Sequence, residues 1–362
     1  MRFDFSLDGF TTKTPPMLGL DISSTSVKFV ELSDTGKGTY RVERYIIEPL
    51  PKDAVTDGNI ANMEMVAEAI QRAWKALGTR VRHVAMALPS NAVITKKILA
   101  PATLSGIELE NQVESEANQV IPFPMDEVNL DFQVLGPAAS SPTDVQILLA
   151  AARKEKVEDR VASAEASGLK SLVMDVEAYA TQLAYEAMSN QLPNSGAGQT
   201  VAIIDVGASA MHINILHDND SVYLRDHGFG GNQLNQEISR RYGMTGEEAE
   251  MAKRRGTLPE SYEVEVLQPY SETLAMEIGR ALQLFTTSTQ YHKVDQILLA
   301  GGGAMIPGLD DVVANRTGIP TMVANPFSNM AVGSKIRPQE LASDAPALFV
   351  ACGLALRRFD PQ

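Results

Sequence analysis

The fold is decided by the stretch LGLDISSTSVKFVEL, residues 18–32, in which an apolar run leads through an aspartate and a small polar turn into a second apolar run. This pattern predicts two short β-strands around a tight turn. The stretch VAIIDVGASAMHINIL, residues 201–216, repeats the same order of strand, aspartate, small-residue turn and strand. Two copies of one unit in opposite halves of the chain indicate a duplicated α/β architecture.

A third stretch, QILLAGGGAMIPGLDDVV at residues 296–313, predicts a strand, a glycine turn and a helix. Ile306 stands where a dinucleotide-binding fingerprint beginning at Gly301 needs glycine, so that interpretation fails. The chain also contains no Walker A motif. Three consecutive glycines suit a flat ligand lying against bare backbone. A purely structural turn between strand and helix is the alternative.

Other segments are typical of helices and connections. The segment 63–77 predicts a helix, since apolar residues recur in it at helical spacing, and the segment from Leu267 to Phe285 predicts another. The first apolar stripe is Met63, Val66, Ile70, Trp74 and Leu77, and the second is Leu267, Leu274, Ile278, Ala281 and Phe285. We expect the second stripe to be core. Residues 136–144 predict a hairpin loop, residues 189–199 a linker between the halves, and residues 345–358 a buried helix.

Composition excludes several classes of function. A length of 362 residues suggests two lobes, and a net charge of −14 argues against a nucleic-acid partner and against docking on anionic lipid. The single cysteine, Cys352, allows no internal disulfide, fits a reducing compartment and is expected to be a buried hydrophobe. No apolar stretch reaches the ~18–20 residues of a membrane span, and the N-terminus has no secretory signal. We therefore expect a cytoplasmic chain without direct membrane insertion.

The two aspartate turns suit a nucleotide. A polyphosphate needs backbone N–H groups and small side chains that let the backbone approach, and residues 21–26 and 205–209 supply both. Asp21 and Asp205 each follow an apolar strand, and one or two such carboxylates suffice to hold a hydrated Mg²⁺ against phosphates. A small-residue hairpin with aspartate is common, so each turn alone is weak evidence. Two such turns and the glycine turn together are strong evidence.

The chain resembles the actin-like ATPase superfamily, which includes actin, DnaK-type chaperones, FtsA and sugar kinases, and within it the PilM family of type IV pilus assembly proteins. The two aspartate stretches match the superfamily's phosphate motifs, and ILLAGGGAMIPGL matches its adenosine motif. PilM-like segments are PLPKDAV (49–55), the run from Glu110 to Pro137, and LLAAARKEKVEDR (148–160), while MDVEAYA (174–180) is shared with FtsA-like proteins. The resemblance covers nearly the whole chain from Met17.

The resemblance implies an α/β, actin-like (ribonuclease H-like) duplicated two-lobe fold with an FtsA-like inserted subdomain. The corresponding ranges are a flexible tail, 1–16; the lobe 1 core, 17–82, 168–197 and 345–362; its inserted subdomain, 83–167; the lobe 2 core, 198–235 and 295–344; and a helical subdomain of lobe 2, 236–294.

The resemblance also implies that ATP and Mg²⁺ lie in the cleft between the lobes, with Asp21 and Asp205 holding the hydrated metal. The nucleotide-binding residues carried over by position are Ser23, Ser24, Thr25, Gly207, Ala208, Ser209, Gly230, Gly231, Glu250, Lys253, Gly302, Gly303 and Met305. Glu250 and Lys253 match an acidic–basic pair near the adenine or ribose. The alternative for that pair is an exposed helix contact worth ~0.2–0.5 kcal/mol.

Glu177 matches the residue that positions the attacking water in relatives that hydrolyse ATP, and orienting water is a large part of phosphoryl-transfer catalysis. Ser23 replaces the glycine of the chaperones, and Met211 replaces a threonine found in many relatives. These departures leave nucleotide binding intact but predict a slow ATPase at most.

The PilM resemblance implies a cytoplasmic, ATP-binding component of the type IV pilus inner-membrane assembly platform, required for pilus biogenesis and twitching motility. Its expected partner is the N-terminal cytoplasmic peptide of PilN, bound between the first lobe and the inserted subdomain, and through it the PilN/PilO complex. The pilus motor ATPases are further candidate partners. The protein would lie on the inner membrane only through a partner. Two alternatives remain: an FtsA-like division protein and a small-molecule kinase on the same fold.

Overall fold

The computed structural model describes residues 3–4, 14–36, 38–138 and 141–360. Its strands are β1 (Phe3–Asp4), β2 (Met17–Ile22), β3 (Ser26–Gly36), β4 (Thr39–Pro49), β5 (Val55–Thr56), β6 (Asn59–Ile60), β7 (His83–Leu88), β8 (Val93–Pro101), β9 (Val128–Ala138), β10 (Ser141–Arg153), β11 (Lys170–Val176), β12 (Thr200–Val206), β13 (Met211–His217), β14 (Asp220–His227), β15 (Gln296–Ala300), β16 (Thr321–Val323) and β17 (Ala331–Val332).

The α-helices are α1 (Met63–Leu77), α2 (Ile107–Val120), α3 (Lys154–Ala166), α4 (Glu177–Met188), α5 (Gly231–Tyr242), α6 (Gly246–Arg255), α7 (Gln268–Ser288), α8 (Leu309–Thr317), α9 (Pro338–Asp344) and α10 (Phe349–Leu356). A π-helical turn, Glu263–Leu267, precedes α7. Short 3₁₀ turns cover Ser90–Ala92, Met125–Glu127, Ser189–Gln191, Pro193–Gly196, Gly302–Met305, Ala345–Leu348 and Arg357–Phe359.

The chain divides into two compact units, and each is described by itself. The first consists of Met1–Glu31, Tyr45–Ala180 and Leu354–Gln362, and the second of Leu32–Arg44 and Thr181–Gly353. Of the predicted tail, residues 1–2 and 5–13 lie outside the described residues, whereas β1 pairs antiparallel with β11. The predicted linker, 189–199, forms two 3₁₀ turns within the second unit.

The helix α1 has the predicted bounds because its ends carry strong local signals. The Asn62 side chain accepts a hydrogen bond from the Met65 N–H at the N-terminus, and Gly78 adopts a left-handed conformation at the C-terminus. Val66 and Ile70 of the predicted stripe are fully buried. Met63, the first residue of the helix, is 40% exposed.

The first unit is built on strands that follow the order β1-β11-β7-β2-β3 within a seven-stranded sheet. Strands β11, β7 and β2 are parallel, and β3 returns antiparallel to β2. Strands β2 and β7 are almost continuously buried and β11 is buried from Val173 onward, as expected for parallel strands covered on both faces. The Ser167 hydroxyl after α3 donates to the Ala67 carbonyl of α1 at 2.9 Å, which joins the two helices over the sheet.

A separate antiparallel sheet, β8-β10-β9, extends the first unit. The helix α2 packs on one face of it, with Val113 and Ala117 against Ile147 and Leu149. Strands β9 and β10 continue to Ala138 and from Ser141, so most of the predicted 136–144 loop belongs to the strands. The predicted insertion, 83–167, takes in this sheet and also β7, which pairs in the larger sheet.

The second unit contains the sheet β14-β13-β12-β15-β16. Alternate residues of β12 face two cores. Ile204 and Val206 contact the residues of α5, α7 and α8, while Val201 and Ile203 pack against Tyr185 of α4 and Phe349 of α10. The predicted α7 stripe is confirmed as core: Leu274, Ile278, Ala281 and Phe285 are buried, and Leu267 is partly buried beside them. The arrangement explains why the strands of this sheet have apolar residues on both faces.

The C-terminal run contains the predicted buried helix as α10 between two 3₁₀ turns. Cys352 is a free, fully buried cysteine in α10, as predicted, and burial raises the pKa of its thiol. Among the described helices, none combines the length and the hydropathy that crossing a membrane requires.

Candidate functional site

The turn between β12 and β13 is the centre of the candidate site in the second unit. Asp205 stands one residue before the end of β12, and the Gly207 N–H closes the turn by donating to the Ala210 carbonyl at 3.0 Å. Ser209 is exposed at the tip, while Gly207 and Ala208 are half-buried. The turn therefore presents mostly backbone to its surroundings.

The first turn of α5 lies directly against this turn. The Gly231 N–H donates to the Gly207 carbonyl at 3.0 Å, and the Asn232 N–H donates to the Ala208 carbonyl at 2.8 Å. A Cβ atom at Gly230 would lie only 2.5 Å from the Gly207 carbonyl oxygen and 2.8 Å from that of Ala208. The predicted residues thus come together, but the Gly231 donor is already engaged with protein. The structural task of Gly230 is to let the helix approach the turn.

The glycine turn after β15 also lies directly against the end of β12. Gly301 has φ +83°, and a Cβ there would lie 2.2 Å from Asp205 Oδ1 and 2.6 Å from the Val206 carbonyl oxygen. A Cβ at Gly303 would lie 2.3 Å from Val206 Cγ1. Any side chain at these two positions would collide with the end of β12, which the alternative interpretation as a packing turn accounts for. The interpretation as a backbone surface for a flat ligand stays a prediction.

Gly302 and Met305 face outward from the same turn. Gly302 is exposed with open space around it, and Met305 is 43% exposed. Together with Ser209, they are exposed residues of the two turns that follow β12 and β15. This surface fits a nucleotide, since phosphate groups require close backbone approach and a nucleoside can lie flat on glycine.

Glu250 and Lys253 of α6 form an ion pair at 2.6 Å, with 34% and 28% of their side chains exposed. Asn235 of α5 connects them, because its Nδ2 donates to Glu250 Oε2 at 2.9 Å and its Oδ1 accepts from Lys253 Nζ at 2.8 Å. The pair is therefore part of a half-buried network between two helices rather than an isolated exposed contact. Asn235 was not identified from the sequence, because its partners come from another helix.

The aspartate turn of the first unit has the same construction. The Ser23 N–H and hydroxyl both donate to the Ser26 carbonyl at 3.0 Å, the counterpart of the Gly207–Ala210 bond. Ser24 is half-buried and Thr25 is exposed. Asp21 is 5% exposed, and its Oδ2 accepts from Lys28 Nζ at 2.8 Å. Lys28 was missed, although the hairpin register pairs it with Asp21 and could have indicated it.

Glu177 is the first residue of α4, half-buried in the first unit, and the next N–H, of Ala178, donates to Ser90 Oγ at 3.2 Å. Asp175, two residues earlier, is fully buried and forms a two-point ion pair with Arg357, at 2.5 and 3.0 Å. Burial alone would lower the pKa of the Arg357 guanidinium, but the Asp175 carboxylate outweighs this and raises the pKa. The start of α4 is thereby held on both sides.

Arg160 of α3 is a further residue of this region that the sequence did not indicate. It is 3% exposed and donates to the Gly58 carbonyl at 2.9 Å and to the Ile22 carbonyl at 3.5 Å. Burial lowers the pKa of Arg160, opposed mainly by the negative charges of Glu177 and Asp21. A buried cation thus stands among the carboxylates predicted for catalysis and metal binding.

Within the part of the chain that the structure describes, no three carboxylate, histidine or cysteine side chains come together as a ready metal site. A Mg²⁺ ion at Asp21 or Asp205 would therefore complete its shell with water and phosphate oxygens, the usual arrangement for this ion.

A family model and one solved structure indicate the same family. A family model described as type IV pilus assembly protein PilM matches residues 19–359. A solved structure described as a PilM-PilN type IV pilus biogenesis complex is 28% identical, with a TM-score of 0.80 over 96% of this chain and 100% of that chain. The ethanolamine utilization protein EutJ from Carboxydothermus hydrogenoformans is 14% identical, with a TM-score of 0.53 over 94% of this chain and 89% of that one.

A weaker likeness is to MreB5 of Spiroplasma citri bound to ADP, with 15% identity and a TM-score of 0.49 over 94% of this chain and 95% of that one. The first two likenesses confirm the predicted α/β, actin-like fold. Because the family model spans nearly the whole sequence, the chain belongs to the PilM family of type IV pilus assembly proteins.

Proposed function

We propose that this chain is the cytoplasmic, ATP-binding component of the type IV pilus inner-membrane assembly platform and that it binds the N-terminal cytoplasmic peptide of PilN. The observation that carries the proposal is the full-length likeness to a protein solved as a PilM-PilN complex, at 28% identity and a TM-score of 0.80. The match of the PilM family model to residues 19–359 supports the same assignment.

The nucleotide part of the proposal is supported by the close-packed backbone around Asp205. ATP would supply a polyphosphate and, with it, Mg²⁺ as the counter-ion. The chain's own contribution is the small-residue turn at 207–209, the bare surface of Gly302 and Gly303, and a carboxylate that holds the hydrated metal. Such a carboxylate would stabilise the metal ion and would not need to contact the phosphate oxygens itself. Asp21, Ser23, Ser24 and Thr25 of the first unit remain predicted nucleotide-binding residues.

Turnover requires a water oriented toward the terminal phosphate, and we propose Glu177 for that task. Its position at the start of α4 is fixed by the Ser90 contact and by the neighbouring Asp175–Arg357 pair. Ser23 and Met211 depart from the residues of fast relatives. Met211 is fully buried, and its thioether cannot supply the hydroxyl that a threonine has. The protein is accordingly a slow ATPase at most.

The partner part of the proposal concerns the sheet β8-β10-β9 and the first unit from which it extends. A short peptide gains main-chain hydrogen bonds and a few buried anchor side chains when it lies along such elements. We propose that the PilN peptide binds there, linking the chain to the PilN/PilO complex, with the motor ATPases as further partners. Location on the inner membrane and a role in twitching motility follow from that link.

The test combines cell fractionation with direct binding. The N-terminal peptide of the PilN-like partner is deleted in the cell, and a synthetic copy is titrated into purified protein by calorimetry, with a scrambled peptide as the control. We expect the protein to leave the membrane fraction in the deletion strain and to bind the native peptide only. A protein that stays on the membrane in that strain and ignores the peptide would refute the proposal. Self-assembly without PilN would favour the FtsA-like alternative instead.

A further inference from the structure

Four exposed cations lie together at one edge of the first unit, although the chain carries a net charge of −14. Lys75 is in the last turn of α1, Arg80 and Arg82 are in the connection from α1 to β7, and Lys170 is the first residue of β11. The Lys170 N–H donates to the Arg82 carbonyl at 2.8 Å, which holds the start of β11 against that connection. We call these four residues the basic edge.

The positive charge of the basic edge is not neutralised by a neighbouring side chain. Within the residues that the structure describes, no carboxylate forms an ion pair with any of the four. Arg72, one turn earlier in α1, does have such a partner, since its Nε lies 2.9 Å from Glu48 Oε1. The C-terminal end of α1 favours a cation at Lys75, but it does not account for the other three. The surplus charge therefore calls for an anionic partner.

Arg82 is held in place by neutral groups. Its guanidinium lies 5.0 Å from the centroid of the Trp74 ring, and its Nη1 donates to the Gly168 carbonyl at 3.4 Å. The ring is itself fixed, because Trp74 Nε1 donates to the Val81 carbonyl at 2.9 Å. An arginine that stacks on an aromatic ring keeps its full charge and its planar set of N–H donors. Such a guanidinium is well suited to bind phosphate oxygens.

The basic edge is remote from the first aspartate turn. His83, the first residue of β7, pairs with Lys170 of β11 and with Met17 of β2. Asp21 follows near the end of β2, so the turn after it lies at the opposite end of the same strands. At 0.1 M salt the Debye length is about 10 Å, so a charged surface acts mainly on the nearest groups of a protein. The local charge of this edge, rather than the net charge of the chain, decides what binds there.

We propose that the basic edge docks on an anionic phospholipid surface and thereby orients the chain on the membrane. A membrane presents phosphate groups over a plane, so it can contact cations from three separate elements at once, which favours lipid over an acidic peptide. Each Lys or Arg close to an anionic membrane raises the affinity about fivefold. The contact is therefore weak by itself, and the inference rests on the proposed PilN link for a second attachment. The expectation drawn from the net charge then applies to the rest of the surface.

The experiment measures how the full chain binds vesicles. The vesicles contain phosphatidylcholine alone or phosphatidylcholine mixed with phosphatidylglycerol, each with and without the lipid-anchored N-terminal peptide of the PilN-like partner; native inner-membrane vesicles are measured in parallel. The variant Arg80→Glu/Lys170→Glu reverses two charges of the basic edge and retains the contact between Arg82 and Trp74. The control variant, Arg316→Glu/Lys335→Glu, changes the net charge equally at two exposed residues of the second unit. Thermal unfolding checks that both variants are folded.

On peptide-bearing vesicles we expect phosphatidylglycerol to raise the affinity of the unmodified chain and of the control variant about tenfold or more, since several cations act together. In the basic-edge variant, phosphatidylglycerol should give no gain, because two of the four groups then repel the surface. Added salt should remove the gain, since it screens exposed charges.

Two results would overturn the inference and leave the proposed function standing: no effect of phosphatidylglycerol on the unmodified chain, or an equal effect on the two variants. If the basic-edge variant loses binding to native membranes while phosphatidylglycerol has no effect on protein-free vesicles, the partner is an acidic protein and the inference is wrong. A chain that ignores the anchored peptide on every vesicle refutes the proposed PilN link. Binding to peptide-free phosphatidylglycerol vesicles at low salt then decides the lipid contact separately.

Discussion

Gly230 offers the sharpest test of the proposed nucleotide site, because an added methyl group there meets only backbone. A Cβ atom would lie 2.5 Å from the Gly207 carbonyl oxygen, 2.8 Å from the Ala208 carbonyl oxygen and 2.9 Å from the Ala208 carbonyl carbon. The φ of Gly230 is −168°, an extended value that any residue adopts, so Gly230→Ala introduces no strain of its own. The whole effect must come from pushing α5 and the turn apart.

The size of that effect follows from the contacts. Overpacking against atoms that cannot rotate away costs ~1–3 kcal/mol. The separation also weakens the two hydrogen bonds from Gly231 and Asn232 to the turn, at 3.0 and 2.8 Å, each worth ~1 kcal/mol. If ATP binding requires the original arrangement, the protein must restore it at this cost. We therefore expect Gly230→Ala to weaken ATP binding at least tenfold, about 1.4 kcal/mol.

The matched control is Gly246→Ala. Gly246 is also at the first turn of a helix, in α6, but a Cβ there has no atom within 4 Å. Replacing a glycine by alanine at a compatible position stabilises a protein by ~0.4–1 kcal/mol. Calorimetry with Mg-ATP and thermal unfolding should separate the two variants. If Gly230→Ala binds ATP as the unmodified chain does, the turn at 207–208 is not part of the nucleotide site and the reasoning fails.

Three further predictions concern the remaining candidate residues. Asp205→Ala should weaken Mg-ATP binding by ~1–3 kcal/mol, the scale of a lost charge-assisted contact, and by more than Asp21→Ala. If ATP binds with equal affinity in Mg²⁺ and in a chelator, the metal plays no part in binding. Turnover by the purified chain should stay far below the ~10 s⁻¹ median of enzymes, and Glu177→Ala should abolish it with binding nearly intact; tens of turnovers per second would contradict the first part. Arg357→Met should lower the free energy of unfolding by ~3–5 kcal/mol, since it leaves a buried carboxylate unpaired. Arg337→Met breaks a pair whose side chains are 80% and 57% exposed, and solvent screens such a pair, so the loss should be much smaller. Similar losses in urea unfolding would show that the first pair is not effectively buried.

The elements that the sequence predicted best are those specified by neighbouring residues. The helix α1 has its predicted bounds because Asn62 and Gly78 mark its ends within the local sequence. Both aspartate hairpins form as predicted, because each consists of two apolar runs and a turn of small residues that are adjacent in the chain. The glycine turn likewise follows its strand directly.

What the sequence could not indicate are the side chains whose partners are distant in the chain. Arg160 donates to carbonyl groups 138 and 102 residues away, and Arg357 pairs with a carboxylate 182 residues away. Asn235 contacts residues 15 and 18 positions further on. Such contacts depend on how the helices pack on the sheets, which no periodicity or spacing contains. The polar network around the candidate site was therefore missed while its backbone turns were found.

The two aspartate turns have the same backbone construction but differ in the residue that pairs with the aspartate. Both are closed by a hydrogen bond from the second residue after the aspartate to the fifth, and in both hairpins the aspartate pairs with the seventh residue after it.

That seventh residue is Lys28 in the first turn and His212 in the second. Lys28 places its ammonium 2.8 Å from the Asp21 carboxylate, whereas His212 directs its Nδ1 to Asp226 at 2.7 Å. A divalent cation approaching Asp21 must compete with an ammonium for the same oxygen, and two cations so close repel each other strongly at a 5% exposed site. The residue paired with Asp205 is a histidine rather than a lysine, so the hairpin sets no lysine ammonium against a divalent cation there, and we expect the larger loss of Mg²⁺-dependent binding at Asp205.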